Sequence, residues 1–363
     1  MARQARPPRP LAARAVLAWA LVSFVTAQVA FAFAVDRSWP ALRYPEYGCK
    51  LESLAAQIDV HRSNPVLLAI GTSRTAFGFY AAGPSASRGW QFNFALTGIG
   101  PVQELACLKR LLKTGVRPAR VLIEIHPAFL HQTPEWCETR AVDVRLLDCH
   151  DLVLLCRYAY CPSELAERWL MSRLSAWHSY RVELLRRLAP SWLPPGSRRD
   201  EAMLADTDSW GWSRFPVRPV DEAERRSFAK RCGDLYVAPL TGFEVSHLAR
   251  QAIDEMLAVC HDAGIEAALV LMPEGEDFRR RYPHNALRQI DRYLDHIRQE
   301  TATPVFDCRA WCDDVQFCDG QHLLPEGAQA FTAQLIDERL LPWLAESRRL
   351  SLEVAHRPRD KDR

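Results

Sequence analysis

The sequence predicts a three-layer α/β fold with a central parallel sheet, preceded by a membrane-spanning helix and interrupted by a largely helical insertion. Three observations predict it. Short segments that are apolar on both faces alternate with helical segments, beginning at Val66-Leu67-Leu68-Ala69-Ile70, and such runs suit the buried centre of a parallel sheet. An apolar stretch occupies residues 15–35, with Ser23, Thr26 and Gln28 as its only polar residues. Between about 131 and 240 the alternation lapses into a helical, aromatic stretch carrying Trp169, Trp177, Trp192, Trp210 and Trp212.

The apolar stretch sets the topology. Twenty-one helical residues rise roughly 31 Å, about the thickness of a bilayer's hydrocarbon core. Arg3, Arg6, Arg9 and Arg14 precede it with no acid among residues 1–14, and taking these four from the net charge of +2 leaves the rest at −2. A buried soluble helix would not explain that cluster. A cleaved signal peptide would use the small-x-small site Ala32-Phe33-Ala34, but its apolar region spans only about 7–15 residues. The adopted reading is an uncleaved anchor: residues 1–14 cytoplasmic, 15–35 in the membrane, and 36–363 outside.

The remaining composition is that of a globular protein, with 48% hydrophobic and 25% charged residues in a chain of 363, enough for one large α/β domain or two ordinary ones. The small net charge gives no electrostatic case for nucleic-acid binding. Strands are predicted at 66–70, 90–95, 120–125, 267–271 and 304–306, and helices at about 101–112, 245–263, 286–299 and 325–341. The strand–turn–helix–strand order around Gly98-Ile99-Gly100-Pro101 is a βαβ pattern, which implies right-handed crossovers. Trp39-Pro40 and Tyr44-Pro45 break the connector after the anchor, and Pro190, Pro194, Pro195 and Gly196 mark a loop within the insertion. Eleven cysteines in an oxidising compartment permit disulfides, and the odd count leaves one thiol over. Cys308, Cys312 and Cys318 lack finger-like spacing for zinc and read as core thiols or a loop brace.

Two motifs carry chemistry. Ser73 lies in Gly71-Thr72-Ser73-Arg74, directly after the first buried strand. A nucleophile there sits at the carboxyl edge of a parallel sheet, where such folds bind ligands, beside the free amides that open a helix. The competing reading makes Ser73 a helix cap. A second Gly-x-Ser, Gly83-Pro84-Ser85, has no strand before it. Asp319-Gly320-Gln321-His322 precedes the last helix. A hydroxyl needs a base to take its proton, and the base needs an acid to fix its tautomer. One loop supplying both leaves them little positional freedom. The competing reading is a capping Asp beside a surface His.

Together these motifs resemble the SGNH (GDSL-like) hydrolases. In that family the serine after the first strand and an Asp-x-x-His pair before the last helix form the triad, which maps to Ser73, Asp319 and His322. Phe92-Asn93-Phe94-Ala95-Leu96-Thr97-Gly98 looks like the second block, whose glycine N–H joins the oxyanion hole. The resemblance covers residues 64–130 and 245–345. It implies a flavodoxin-like sandwich and an oxyanion hole from the Ser73 and Gly98 amides, with no metal or organic cofactor. The Gly-Thr-Ser-Arg variant is similar to cell-envelope members, which act on acyl esters of polysaccharides or wall polymers alongside membrane-bound O-acyltransferases. Two departures stand out. Thr72 replaces the aspartate of the first block, and His126-Pro127-Ala128 stands where the third block has an oxyanion-donating Asn. His126 is one replacement donor; a silent protein that binds glycan or scaffolds an acyltransferase is the alternative. Arg74, Asn93, His126, Glu274 and Arg279 complete the expected substrate-binding set.

The topology is testable by fusion. A phosphatase placed after residue 363 should be active, and a cytoplasm-dependent reporter at the same point inactive. The reverse pattern overturns the external placement.

Overall fold

The computed structural model describes residues 10–62, 66–81, 90–194 and 206–345. Arg3, Arg6 and Arg9, the second Gly-x-Ser at Gly83-Pro84-Ser85, and Pro195 and Gly196 lie outside the described residues. The chain divides into two units, residues 1–49 with 142–198, and residues 50–141 with 199–363. The expected insertion at 131–240 is therefore shared between them.

The second unit is built on a parallel sheet of five strands in the order β2-β1-β3-β4-β5. They are β1 (Val66–Ile70), β2 (Trp90–Asn93), β3 (Arg120–Glu124), β4 (Glu266–Leu271) and β5 (Val305–Asp307). Every residue of β1 and β2 is buried, as are the last four of β3 and of β4. Burial on both faces is why these strands read as continuous apolar runs. Residues two apart on one face, Leu67 with Ala69 and Ala268 with Val270, join Leu122 and Phe306 in a core with Ala328, Phe331 and Leu335. Register positions the site: Ile70 pairs with Ile123, so the residues after β1 run beside Glu124, the last residue of β3.

The helices begin with α1 (Pro10–Ser38), α2 (Pro45–Val60), α3 (Ser73–Gly78) and α4 (Pro101–Lys113). Leu105, Leu108 and Leu111 form the buried stripe of α4. Gly100 has no side chain to cap that helix, and Glu138 does so from a distance, accepting from the amides of Gly100, Val102 and Gln103. Next come α5 (Cys149–Cys156), α6 (Pro162–Leu174), α7 (Ala176–Ser179), α8 (Arg181–Leu188), α9 (Glu222–Leu235), α10 (His247–Asp262), α11 (His284–Thr301) and α12 (Pro325–Leu335), which continues into a wide turn at Ile336–Leu340. All eleven cysteines are free thiols. Cys308 and Cys312 pack in the sheet's apolar core, so burial within the core, not a loop brace, accounts for them.

The first unit holds α1. Its apolar window, residues 13–38, is long enough to cross a membrane and almost wholly exposed. An isolated helix that is apolar all round has no stable place in water. Near its end Ala32 and Val35 are buried with Leu42, Ala176 and Tyr180. Around that contact Arg43 lies 3.1 Å from Asp148 and 3.5 Å from Asp36, and Arg173 lies 3.2 Å from Asp36. The end of α1 is thus part of a folded core with α7.

Candidate active site

The site begins with the turn between β1 and α3. Gly71 leads into it at a point with no room for a side chain: a Cβ there would lie 2.6 Å from the Glu124 carboxylate and 2.7 Å from Thr75 Oγ1. Thr72 is the N-cap of α3, its Oγ1 accepting from the Arg74 amide at 3.2 Å. Capping therefore falls to Thr72 and not to Ser73. Ser73 takes the first helical position, half-buried, and its Oγ lies 2.8 Å from His322 Nε2.

One buried carboxylate fixes this turn. Glu124 accepts from the Thr72 amide at 2.8 Å, from Thr72 Oγ1 at 3.0 Å, from the Thr75 amide at 3.3 Å and from Thr75 Oγ1 at 2.7 Å. The amides of Thr72, Arg74 and Thr75 are thereby occupied, while that of Ser73 has no acceptor among the described residues. An unoccupied amide at a helix N-terminus favours an anion beside it. Gly98, the other expected donor, lies in an exposed turn after β2 at φ +71°, a conformation that glycine adopts without strain.

His322 is carried on a tight loop. Asp319 Oδ2 lies 2.8 Å from His322 Nδ1, and Asp319 Oδ1 accepts from the amides of His322 and Gln321. Gly320 turns the loop at φ +84°, and the Cys318 amide closes it on the His322 carbonyl at 2.9 Å. Burial pushes the Asp319 carboxyl up, but the adjoining His322 charge and the hydrogen bonds outweigh it and hold the group below its ordinary value. An ionised Asp319 favours the His322 tautomer with its proton on Nδ1, which leaves Nε2 as the acceptor facing Ser73. Phe215 stacks on the imidazole at 4.6 Å and 10°, and Phe77 meets it edge-on at 5.6 Å.

The five expected substrate-binding side chains are used inside the protein. Asn93 is fully buried, its Nδ2 donating to the carbonyls of Thr75, Ala76 and Phe79. Arg74 is also buried, pairs with Glu274 at 3.1 Å and donates to the carbonyls of Met272 and Pro273. Burial lowers the Arg74 pKa, but Glu274 and Glu124 outweigh that and keep the guanidinium charged. Glu274 accepts in turn from Tyr282 at 2.8 Å, and Arg279 donates to the Glu274 and Arg309 carbonyls. His126 is buried, its Nδ1 accepting from the Ala128 amide at 3.3 Å, so its Nε2–H donates to Gln321 Oε1 at 3.1 Å. Neither ring nitrogen is left for an oxyanion. Arg74, Asn93, His126 and Glu274 are buried and Arg279 is half-buried, and the partners named are backbone groups or buried side chains.

Two contributors went unread in the sequence. Glu124 had a legible signal, a lone acid within the apolar run Val121-Leu122-Ile123-Glu124-Ile125. Gln321 had none. It ties the catalytic-type loop to the end of β3 through His126, and its Nε2 donates to Cys232 Sγ at 3.3 Å. Burial pushes that thiol up to about 12, so it stays protonated and unreactive. Among the described residues no three His, Cys, Asp or Glu side chains converge as metal ligands.

No family model matches the chain, and no curated protein matches it.

This geometry has two measurable consequences. Glu124→Ala should strand the buried Thr72 and Thr75 amides beside the Arg74 charge and cost about 3–5 kcal/mol, read by denaturant unfolding; a loss under about 1 kcal/mol refutes the stapling role. The second concerns pH. Burial, with the Arg74 and His322 charges adding, holds His126 well below its ordinary value of 6.5. The unfolded chain takes up a proton there that the folded chain refuses. Its contribution to stability is thus complete above pH 6.5 and lost as pH falls below it. His126→Gln should flatten the slope of unfolding free energy between about pH 6.5 and 5; an unchanged slope refutes the assignment.

Proposed function

We propose that this protein is a membrane-anchored serine esterase or O-acyltransferase of the SGNH class. Its domain lies outside the cytoplasm and acts on acyl esters, acetyl above all, of cell-envelope glycans or polymers. The observation that carries the reading is the unbroken chain Ser73 Oγ–His322 Nε2 and His322 Nδ1–Asp319, both links 2.8 Å long. Its place adds support. Ser73 follows β1 and His126 follows β3, and the strand order reverses between β1 and β3, where open α/β sheets bind ligands. The three-layer, flavodoxin-like sandwich belongs to the same proposal, and a 2-1-3-4-5 strand order fits it.

In this mechanism Ser73 Oγ attacks the ester carbonyl as His322 Nε2 takes its proton. Asp319 orients the ring and stabilises the imidazolium, and the Phe215 face offers that cation a π surface. The Ser73 and Gly98 amides hold the oxyanion. The tetrahedral adduct collapses, the departing alkoxide takes the proton from His322, and the acyl group stays on Ser73. Water then completes hydrolysis, or a sugar hydroxyl completes transfer, His322 again accepting the proton. A membrane-bound O-acyltransferase is the partner that fits a transferase.

A second reading, a catalytically silent glycan-binding or scaffold protein, is favoured by one observation: the Nε2–H of His126 is spent on Gln321. The hole is then one donor short, a deficit of roughly 10²–10³ in turnover.

The experiment is acyl release and transfer from a model ester with thermal melts in parallel. Ser73→Ala and His322→Ala should each lower turnover by roughly 10³-fold or more, and their combination should be little worse than either, because nucleophile and base act as one unit. Asp319→Asn should be milder. A fluorophosphonate should label the wild type at Ser73. Full activity in Ser73→Ala refutes the covalent mechanism, and a folded wild type that neither labels nor turns over establishes the silent reading.

A further inference from the structure

Gln28, one of the three polar residues in the apolar run of α1, has a partner. Gln28 Oε1 accepts from the Trp177 amide at 2.8 Å. Phe31 meets the Trp177 and Tyr180 rings at 5.8 and 6.3 Å, and Ala32 and Val35 are buried with Ala176 and Tyr180. Short helix α7 is thus fixed against α1 from Gln28 to Val35. Gln28 is seven residues before Val35, so at 1.5 Å per residue α7 reaches about 10 Å below the end of the apolar run. An interfacial helix buries its apolar face to roughly that depth, 5–10 Å.

The surface of this segment has the composition that depth demands. Leu170, Met171, Trp177, Leu188 and Trp192 are exposed, Trp192 at 77% and Leu188 at 78%. The exposed tryptophans among the described residues are Trp19, Trp39, Trp177 and Trp192, all in the first unit. Residues 162–194 hold five arginines and three glutamates, and two of the glutamates, Glu164 and Glu167, precede every arginine. Arg181 and Arg187 are exposed, beside the apolar residues, as basic side chains are beside lipid phosphate. In water such a surface would expose several large apolar groups for no return. At the lipid boundary tryptophan is enriched because its ring is apolar and its N–H polar.

We propose that residues 162–194 form an interfacial membrane element: α6 to α8 and the following turn lie in the headgroup–acyl boundary of the leaflet that the end of α1 crosses, with Trp177, Leu188 and Trp192 inserted and Arg181 and Arg187 on lipid phosphates. The inference rests on α1 spanning the membrane. It also explains Gln28, since a polar side chain at that depth needs a protein partner.

The test uses the full chain, one copy per lipid nanodisc, so that no second copy can cover the surface. Trp19→Phe, Trp177→Phe and Trp192→Phe each isolate one tryptophan's emission by difference. Discs are prepared with lipids brominated in the upper acyl chain, a contact quencher, and with unbrominated lipids. The Trp177 and Trp192 emissions should fall at least about twofold in brominated discs, as an inserted indole requires, and resist aqueous acrylamide. Trp19 reports on the span alone. If Trp19 is quenched by bromine while Trp177 and Trp192 answer only to acrylamide, the segment lies in water and the inference is overturned. If Trp19 escapes bromine too, the spanning reading of α1 falls, and the inference with it. Circular dichroism and a melt on each variant confirm that the conservative exchange has left the fold intact.

Discussion

The Glu124 carboxylate is the constraint on which the α/β unit's chemistry depends. It is buried at the end of β3 and takes four donors from Thr72 and Thr75. A buried carboxylate is tolerated only when its acceptor sites are filled. Here the donors that fill it are the turn that carries Ser73. The dependence runs both ways: the turn needs Gly71 so that the carboxylate can approach, and the carboxylate needs the turn to be satisfied. Arg74 lies between Glu124 and Glu274, one guanidinium shared by two buried carboxyl groups. Of this cluster only Ser73 is turned toward the surface, and its amide is left over.

A second polar system holds the imidazole. Asp319 spends one oxygen on two backbone amides and the other on His322 Nδ1. Gln321, between them in sequence, points the other way and joins His126. The loop is therefore gripped from both sides, by its own acid and by the strand end beneath. His126 and Thr72, the two departures from the SGNH pattern, both prove to be fixed in these supports. Thr72 caps α3, a task that leaves Ser73 Oγ free. His126 braces the His322 loop. Both side chains have their hydrogen bonds spent within the protein, which is what low-dielectric surroundings enforce.

The first unit solves a different problem. Gln28 lies on the apolar helix α1, and the Trp177 amide of residues 142–198 supplies a donor to its side chain. Arg43, Arg173, Asp36 and Asp148 then gather at the end of α1, where the apolar run stops.

The sequence by itself determined the elements. All five strands and the helices at 101–113, 247–262 and 284–301 fall within about two residues of where periodicity, Gly115 and the prolines place them, and the helix at 325–335 reaches its predicted end only through the wide turn at 336–340, because apolar patterning and breakers are local properties. It also placed Ser73 and the Asp319–His322 pair at chain positions that a parallel sheet brings to one edge. It left the roles of the surrounding polar residues undetermined. Arg74, Asn93 and Glu274 read as ligand-facing, yet they are buried, since whether a polar side chain is buried depends on partners as far as 200 positions away. The division of the chain was likewise decided only in three dimensions. Residues 142–198 join the apolar helix α1 and not the sheet, because Ala32 and Val35 find their apolar partners there, and contacts across so many residues leave no period in the sequence to read.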